Sequence, residues 1–287
     1  MVKFPGDDVS SSSSPVKYTE VLLNHNHMQW ECSAATDCGR RRPLNEDYFI
    51  CDSNKGIFLV ADGMGGENCG EVASQLTGEY FENTVLPFLT DEDATIPFDQ
   101  IYEENIFEKT LHHAAAETNL AVIEYAESHQ SHKGMGSTLT AAVFYDAELW
   151  VTHVGDSRLY AIQEDAINQI TTDHTRVQEM VQKKVISAQE ARKHPQKHII
   201  TQCVGRKSHF KPDIFSLELS VKNLYLICSD GLYDMVEDEE ILAIVQHSDG
   251  FDKISQNLIR KANQYGGKDN ITVVLFRMQT ETINNNE

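Results

Sequence analysis

The sequence contains no hydrophobic run long enough to span a membrane. Its N-terminal stretch, MVKFPGDDVSSSSSP, also contains no apolar segment of the kind found in secretion signals. These two absences predict a cytoplasmic protein that does not insert into a membrane. Export by a specialised system that reads a weak signal stays an open alternative.

Positive charge is scarce: the 287 residues include 24 Lys and Arg against 44 Asp and Glu, which gives a formal net charge of −20. Nucleic acids and anionic membranes bind clustered Lys and Arg, so neither is expected as the main partner. An acidic chain is suited to concentrating cations, although an acidic surface also serves solubility alone.

The six cysteines form no Cys-x-x-Cys pair, and several lie inside apolar runs such as 225–228, where cysteine usually acts as a small core residue. A chain of this length does not need disulfide bonds to stabilise its core. The cysteine pattern therefore fits a reducing compartment.

The twelve histidines contain no recognisable zinc-binding pattern. The closest sets are His25 with His27, His112 with His113, and His194 with His198. None is combined with a cysteine cluster or a His-Glu-x-x-His frame, so these side chains are predicted to be surface residues rather than zinc ligands.

One folded domain is predicted over residues 25–279. It lies between a serine-rich, disordered tail at 1–24 and a short C-terminal tail at 280–287, with no internal linker or repeat. Apolar, β-branched runs predict strands at 48–52, 57–61, 137–145, 148–154, 157–162, 214–219, 224–228 and 271–276. Apolar periodicity predicts helices at about 71–88, 98–128, 237–246 and 251–264, and a helical hairpin at 173–193. Strands in hairpins with helices inserted in pairs favour an α+β fold.

Four short motifs place acidic residues beside separate apolar strands. They are Arg-Pro-Leu-Asn-Glu-Asp at 42–47, Val-Ala-Asp-Gly-Met-Gly-Gly at 60–66, Cys-Ser-Asp-Gly at 228–231 and Lys-Asp-Asn at 268–270. A single Asp-Gly is usually an ordinary turn, but a carboxylate at the end of a buried strand is costly unless it is paired or bound to a metal. Several such ends converging would form an oxygen-lined site for a hard cation such as Mg²⁺ or Mn²⁺.

In order and spacing, these motifs resemble those of the type 2C metal-dependent protein phosphatases. The resemblance runs from about residue 35 to 276. It also includes Gly-Ser-Thr at 136–138, Val-Gly-Asp-Ser-Arg at 154–158 and Thr-Asp-His at 172–174. Residues 173–205 resemble the mobile flap of the bacterial members, and we assign the flap to about 173–211. The resemblance implies a sandwich of two antiparallel sheets, flanked on both sides by helix pairs, with metals in a cleft at one end.

The resemblance also implies roles for individual residues. Asp62 would bridge two metal ions with help from the Gly63 carbonyl, Glu46 would hold the second ion, and Asp230 and Asp269 would hold the first. Asp47 would orient water bound to the metals, and Arg42 would bind the substrate phosphate, although Arg40 and Arg41 stand directly beside it. Asp156 and Asp234, sharing Asp230, are candidates for a third, weaker ion, but Asp234 also lies in an exposed acidic run.

The implied activity is hydrolysis of phosphoserine and phosphothreonine in proteins by a hydroxide that bridges two Mn²⁺ or Mg²⁺ ions, without a phosphoenzyme. The partners would be phosphorylated proteins, the chain would be a monomer, and it would oppose a serine/threonine kinase. No cysteine is followed by arginine at the sixth position and no Gly-x-Ser-x-Gly occurs, so two covalent alternatives lack their motifs. A catalytically silent regulator of the same fold and a phosphatase of small metabolites stay open.

Two positions depart from the family pattern. Met64 stands where animal members often carry a histidine proposed as the acid for the leaving group, so water would have to donate that proton. The flap usually ends in Leu-Thr-Arg-Ala-Leu-Gly, but this chain has Ile-Thr-Gln-Cys-Val-Gly at 200–205. Gln202 therefore replaces a charged side chain, which is expected to alter how the flap is anchored or which substrate it prefers.

Overall fold

A computed structural model describes residues 29–65, 69–90 and 105–279 of the chain. The two predicted tails, the start of the predicted helix at 98–104, His25 with His27, and Gly66 lie outside the described residues. Within the described ranges, no helix is both long and apolar enough to cross a membrane.

The fold is built from two antiparallel sheets. The first contains, in spatial order, β1 (Gln29–Asp37), β11 (Ile271–Gln279), β10 (Leu224–Cys228), β7 (Arg158–Ile162) and β8 (Ile167–Gln169). The second contains β2 (Asp47–Asp52), β3 (Ile57–Met64), β5 (Leu139–Tyr145), β6 (Glu148–Val154) and β9 (Asp213–Glu218), with the short β4 (Gly136–Ser137) paired to the end of β3. The predicted α+β fold with two antiparallel sheets is confirmed.

Helices cover the outer face of each sheet. On the second sheet lie α1 (Gly70–Thr90) and α2 (Ile106–Ser128), and on the first lie α5 (Asp230–Tyr233), α6 (Asp238–His247) and α7 (Phe251–Gln264). The predicted helical hairpin of the flap forms two short helices, α3 (Arg176–Gln182) and α4 (Ala188–Arg192). Each begins at a side-chain cap: Thr175 Oγ1 accepts a hydrogen bond from the Gln178 amide, and Ser187 and Glu190 form a reciprocal capping box.

The central strands are buried on both faces, which explains why their sequences are almost continuously apolar. In β3, Phe58 and Val60 point between the sheets, whereas Ile57, Leu59 and Ala61 point toward the helices. The Phe58 ring stacks on Phe276 of β11 with 4.0 Å between ring centroids, and so links the two sheets directly. The core therefore fixes how the ends of the strands are arranged.

Two strands, β1 and β8, were not predicted from the sequence. The β1 sequence QWECSAATD mixes small and polar residues with one aromatic, and only burial from both sides makes it a strand. Trp30 and Cys32 pack between the sheets, while Ser33 Oγ lies 2.8 Å from Ser255 Oγ on α7. The β8 strand has only three residues, at the edge of the first sheet.

The antiparallel pairing brings the acidic motifs to one end of the sandwich. Asp47, at the start of β2, pairs in register with Asp62, near the end of β3. In the other sheet, β10 ends just before Asp230 at the point where β11 begins just after Asp269. Carboxylates that are far apart in the sequence therefore surround one cavity.

Candidate metal centre

The cavity at this end of the sandwich has a volume of about 580 Å³. Eight of the nine predicted site residues line it: Arg42, Glu46, Asp62, Gly63, Asp156, Asp230, Asp234 and Asp269. The ninth, Asp47, lies beside Asp62 in the sheet, and its Oδ2 accepts a hydrogen bond of 2.8 Å from Ser229 Oγ.

The backbone around Asp62 is held by residues that precede β5. The Asp62 amide donates to Thr138 Oγ1 at 2.8 Å, and the Asp62 carbonyl accepts from the Thr138 amide at 2.9 Å and from Ser137 Oγ at 3.1 Å. The Gly-Ser-Thr motif at 136–138 therefore fixes the end of β3, and with it the direction of the Asp62 side chain.

Glu46 is fixed at both its backbone and its side chain. Its carbonyl accepts hydrogen bonds from the Gly63 amide at 3.1 Å and from Ser74 Oγ at 2.6 Å. Its Oε1 accepts from the Gly70 amide, the first residue of α1, at 3.2 Å. The start of α1 thus holds the carboxylate at the cavity.

Glycine is required where β3 meets α1. A Cβ on Gly63 would lie 2.0 Å from the Gly70 carbonyl oxygen, and a Cβ on Gly70 would lie 2.3 Å from Glu46 Oε1. Neither distance is compatible with a side chain, so both positions allow the strand, the helix and the carboxylate to approach closely.

Asn270 is a positioning residue that the sequence analysis did not identify. Its Nδ2 donates to the Cys38 carbonyl at 3.1 Å and to the Leu44 carbonyl at 2.8 Å, while its Oδ1 accepts from the Glu46 amide at 2.9 Å. One buried amide therefore holds the whole loop that carries Arg42 and Glu46. The available signal was an amide side chain directly after Asp269, at the start of a buried strand.

Arg42 is the arginine of the Arg40–Arg42 run that lines the cavity. Its Nη2 donates to Asp269 Oδ2 at 2.7 Å, and this hydrogen bond raises the pKa of the guanidinium. The side chain is 47% exposed, so it faces solvent as well as the carboxylates. Arg40 and Arg41 are exposed and are not among the lining residues, which agrees with the spacing argument for Arg42.

The carboxylates of the cavity have too few hydrogen-bond and ionic partners to stabilise their charged forms. Burial raises the pKa of Asp62 and Asp230 well above the usual range, and the neighbouring carboxylates raise both further. Burial likewise raises the pKa of Asp47 to about 6 and that of Asp156 to about 7. Asp47 Oδ1 and Asp230 Oδ1 are buried and have no hydrogen-bond partner among the described residues.

This donor set fits hard divalent cations. The facing groups are carboxylate and carbonyl oxygens, which Mg²⁺ and Mn²⁺ prefer, and positive charge there would satisfy the unpartnered oxygens and remove the mutual repulsion. The observation that supports the fit is that two buried oxygens lack hydrogen-bond partners among the described residues. They are Asp47 Oδ1, at the start of β2 in the second sheet, and Asp230 Oδ1, just after β10 of the first sheet.

The flap brings two further side chains to the cavity that the sequence analysis did not place there. Lys197 Nζ lies 2.7 Å from Asp234 Oδ2, and His198 Nδ1 lies 3.8 Å from the same oxygen and 3.9 Å from Asp230 Oδ2. His198 is 61% exposed, so it is a surface histidine as predicted, but it faces two candidate metal ligands. No sequence signal locates these residues, because tertiary packing sets the position of the flap.

The two departures from the family pattern occupy distinct places. Met64 lines the cavity and pairs with Gly136 in β4. Gln202 Oε1 accepts a hydrogen bond of 3.3 Å from the Lys211 amide, across the returning end of the flap. Asn119 of α2 anchors that end, since its Oδ1 accepts from the Gly205 amide at 2.8 Å.

Asp156 is held by a separate aromatic and ionic cluster. Tyr233 donates to the Asp156 carbonyl at 3.0 Å, and the Arg158 guanidinium lies 3.6 Å above the Tyr233 ring. Arg158 also makes a two-pronged ion pair with Asp173 at the base of the flap. This cluster links the position of Asp156 to the start of the flap.

Comparison with known proteins assigns the sequence to a family. The profile of the protein phosphatase 2C family matches residues 36–275. The serine/threonine phosphatase stp of Listeria innocua is 37% identical over 248 residues, covering 84% of this chain and 92% of that protein. The protein phosphatase PhpP of Streptococcus pneumoniae is 32% identical over 254 residues, covering 88% of this chain and 98% of that protein.

Solved structures agree with the sequence relatives. The Mycobacterium tuberculosis serine/threonine phosphatase PstP/Ppp matches with a TM-score of 0.75 and 33% identity, covering 88% of this chain and 99% of that one. The catalytic domain of the protein phosphatase PstP in complex with two manganese ions matches with a TM-score of 0.73 and 32% identity, over 88% and 99% of the two chains.

Proposed function

The chain belongs to the protein phosphatase 2C family, and from this premise we propose that it is a metal-dependent phosphatase acting on phosphoserine and phosphothreonine in proteins. One observation carries the proposal: six acidic side chains from five separate segments of the chain line one cavity together with an arginine. A relative named as a serine/threonine phosphatase, at 37% identity, and one named as a protein phosphatase, at 32% identity, both over most of the chain, support the same substrate class.

The residues at the cavity suggest how two divalent cations are held. We assign Glu46, Asp62, Asp230, Asp269 and the Gly63 carbonyl as the groups that would hold these ions, with Asp62 serving both. The related PstP catalytic domain with two manganese ions supports this number. When bound, such cations supply Lewis acidity that lowers the pKa of an attacking water and neutralises phosphate charge.

We assign Arg42 to binding the substrate phosphate and Asp47 to orienting the attacking water. A guanidinium offers several N–H donors in a fixed plane, which suits the equatorial oxygens of a phosphoryl group. Arg42 Nη2 donates a hydrogen bond of 2.7 Å to Asp269 Oδ2, so the guanidinium lies at the edge of the carboxylate cluster. Asp47 pairs with Asp62 in the register of β2 and β3, and its Oδ1 has no hydrogen-bond partner among the described residues. This oxygen can therefore orient a water or take its proton.

A direct attack by water, without a phosphoenzyme, agrees with the state of the Cys38 thiol. Cys38 begins the loop that carries Arg42, and its Sγ donates to the Arg42 carbonyl at 3.2 Å. Burial and the neighbouring Asp37 carboxylate raise the pKa of the Cys38 thiol. A protonated thiol that points at a carbonyl is a poor nucleophile.

A third, weaker cation is proposed for Asp156, Asp230 and Asp234. Asp156 is buried and Asp230 Oδ1 lacks a partner, whereas Asp234 already has a positive neighbour in Lys197. A cation near Asp234 must therefore compete with the flap, which explains in physical terms why this site would be the weaker one.

Phosphate release from a phosphothreonine peptide tests the proposal. We expect turnover by the purified protein with Mn²⁺, none with EDTA, and a loss of at least a hundredfold in the Asp62→Asn variant. A folded wild-type protein that hydrolyses none of several phosphopeptides in Mn²⁺ would contradict the proposal and favour a catalytically silent regulator.

A further inference from the structure

We propose that Arg40, Arg41 and Lys268 form a cationic rim that selects phosphoproteins with aspartate or glutamate next to the phosphorylated residue. The inference rests on the proposed function and specifies its substrate class. Arg40–Arg42 is the one run of three consecutive Lys or Arg residues in the sequence, and the metal centre itself uses only Arg42.

The three side chains belong to two adjacent loops at the mouth of the cavity. The Arg40 amide donates to the Gly267 carbonyl at 2.7 Å, which joins the two loops. A Cβ on Gly267 would lie 2.9 Å from the Arg40 Cγ, so the Arg40 side chain packs directly against the other loop. Lys268 lines the cavity beside Arg42.

The side chains of the rim cations are available to a ligand. Among the residues that the structure describes, Arg40, Arg41 and Lys268 are exposed and make no ion pair. Arg42 differs, because it pairs with Asp269. Unpaired cations at the mouth of a phosphate-binding cavity remain available to an anionic ligand.

The loop that presents these arginines is held firmly. Gly39 adopts a φ of +77°, and a Cβ there would lie 2.2 Å from the Asp269 carbonyl oxygen, so only glycine allows this approach. The Gly39 amide donates to Asp37 Oδ1 at 2.8 Å, and Asn270 holds the carbonyls of Cys38 and Leu44. A fixed loop presents its charges to a substrate without a large loss of loop entropy.

Reach and charge both favour carboxylates close to the phosphorylated residue. Adjacent Cα atoms are about 3.8 Å apart and an extended peptide advances about 3.3–3.6 Å per residue, so the long side chains next to Arg42 can reach substrate positions close to the phosphate. The rim is also a positively charged patch in a chain whose net charge is −20. Elsewhere the acidic surface repels an acidic peptide, and the rim gives such a peptide one favourable orientation.

Matched phosphopeptides test the inference. Three phosphothreonine peptides of equal length carry Asp, Ala or Lys at the flanking positions, and kcat/KM is measured for each with Mn²⁺ at low and high ionic strength. Because an exposed ion pair is worth about two- to fivefold in affinity, several pairs give an expected preference of about tenfold for the Asp over the Lys peptide. The preference should reside in KM and shrink in high salt.

The variants assign that preference to the rim. Arg41→Glu combined with Lys268→Glu should abolish or invert it, and the milder Arg41→Gln should reduce it two- to fivefold if the double variant folds poorly. Lys222→Glu is the matched control, because Lys222 is exposed, makes no ion pair in the described ranges and lies in the turn before β10, at the far end of the sandwich. It should leave the peptide ratio unchanged.

Two outcomes would overturn the inference in distinguishable ways. Equal kcat/KM for the three peptides, or a preference that survives both rim variants, contradicts the rim while leaving the phosphatase activity established. A wild-type protein inactive on every peptide contradicts the proposed function itself, and the rim with it.

Discussion

Asn270 shows how one side chain can organise a site through hydrogen bonds to the backbone. It is buried and makes three hydrogen bonds to backbone groups of the loop that carries Arg42 and Glu46. No other side chain in the described ranges makes bonds to all three of these groups. The position of two candidate functional residues therefore depends on the amide that ends the fourth acidic motif.

The Asn270→Ala variant should weaken both stability and cation affinity. Buried backbone groups left without partners cost about 1–3 kcal/mol each, so we expect a loss of about 2–4 kcal/mol in urea unfolding. The Mn²⁺ concentration for half-maximal activity should rise as Glu46 loses its position. Asn257→Ala is the control: it removes only the hydrogen bonds that join this α7 side chain to Ser248 Oγ and Arg260 Nη1, so it should leave the Mn²⁺ requirement unchanged.

The raised pKa values of the carboxylates predict how stability depends on pH without metal. The pKa of Asp47 rises to about 6 and that of Asp156 to about 7, from an ordinary 3.8, because both side chains are buried. The folded state then holds protons that the unfolded state releases, so the stabilisation is complete below pH 3.8 and is lost as the pH rises through 6–7.

In EDTA, the free energy of unfolding should therefore fall by about 2–4 kcal/mol between pH 5 and pH 8, at about 1.4 kcal/mol per pKa unit. Urea denaturation at four pH values measures this, and Asp156→Asn should flatten the curve. Stability that rises over the same interval would contradict the assigned burial.

At the scale of single residues, the sequence alone indicates only those site features that depend on neighbouring residues in the chain. Asp62 and Asp230 each follow a short apolar run, so their unusual position at a strand end is visible in the sequence alone. The contact of Arg42 with Asp269 is not visible, since the two are 227 positions apart and are brought together by the pairing of β1 with β11 and by hydrogen bonds between the two loops.

The flap is the element whose position sequence patterns leave undetermined. Caps at Thr175 and Ser187 account for its two short helices, but they do not indicate that Lys197 meets Asp234. The same limit applies to β1, whose small and polar residues form a strand only because a sheet and a helix cover it. Local patterns fix the type of an element, and contacts distant in sequence fix its neighbours.

Lys197→Met should release the flap. The ion pair with Asp234 is lost, so amide hydrogen exchange over 194–200 should become faster, and the weaker cation should bind a few-fold more tightly because Asp234 is no longer neutralised. Lys193→Met is the control, since Lys193 is exposed and makes no ion pair in the described part of the flap. Unchanged exchange in Lys197→Met would show that the contact does not hold the flap.

On the scale of the whole molecule, the two packed sheets hold the negatively charged carboxylates at fixed positions close to one another. Stacked aromatics between the sheets and helices on both outer faces prevent the strand ends from moving apart. The carboxylates cannot separate to relieve their repulsion, so either protons or cations must neutralise them. This requirement connects the net acidity of the chain, the raised pKa values and the proposed metal-dependent activity.

A calorimetric titration of the metal-free protein with Mn²⁺ tests that connection most directly. We predict at least two ions per chain in the wild type, loss of both strong sites in Asp62→Asn, and wild-type binding in Asp165→Asn, a matched change at an exposed position between β7 and β8. If Asp62→Asn binds two ions with wild-type affinity, or the wild type binds none, the carboxylate cavity is not the metal centre proposed for this phosphatase.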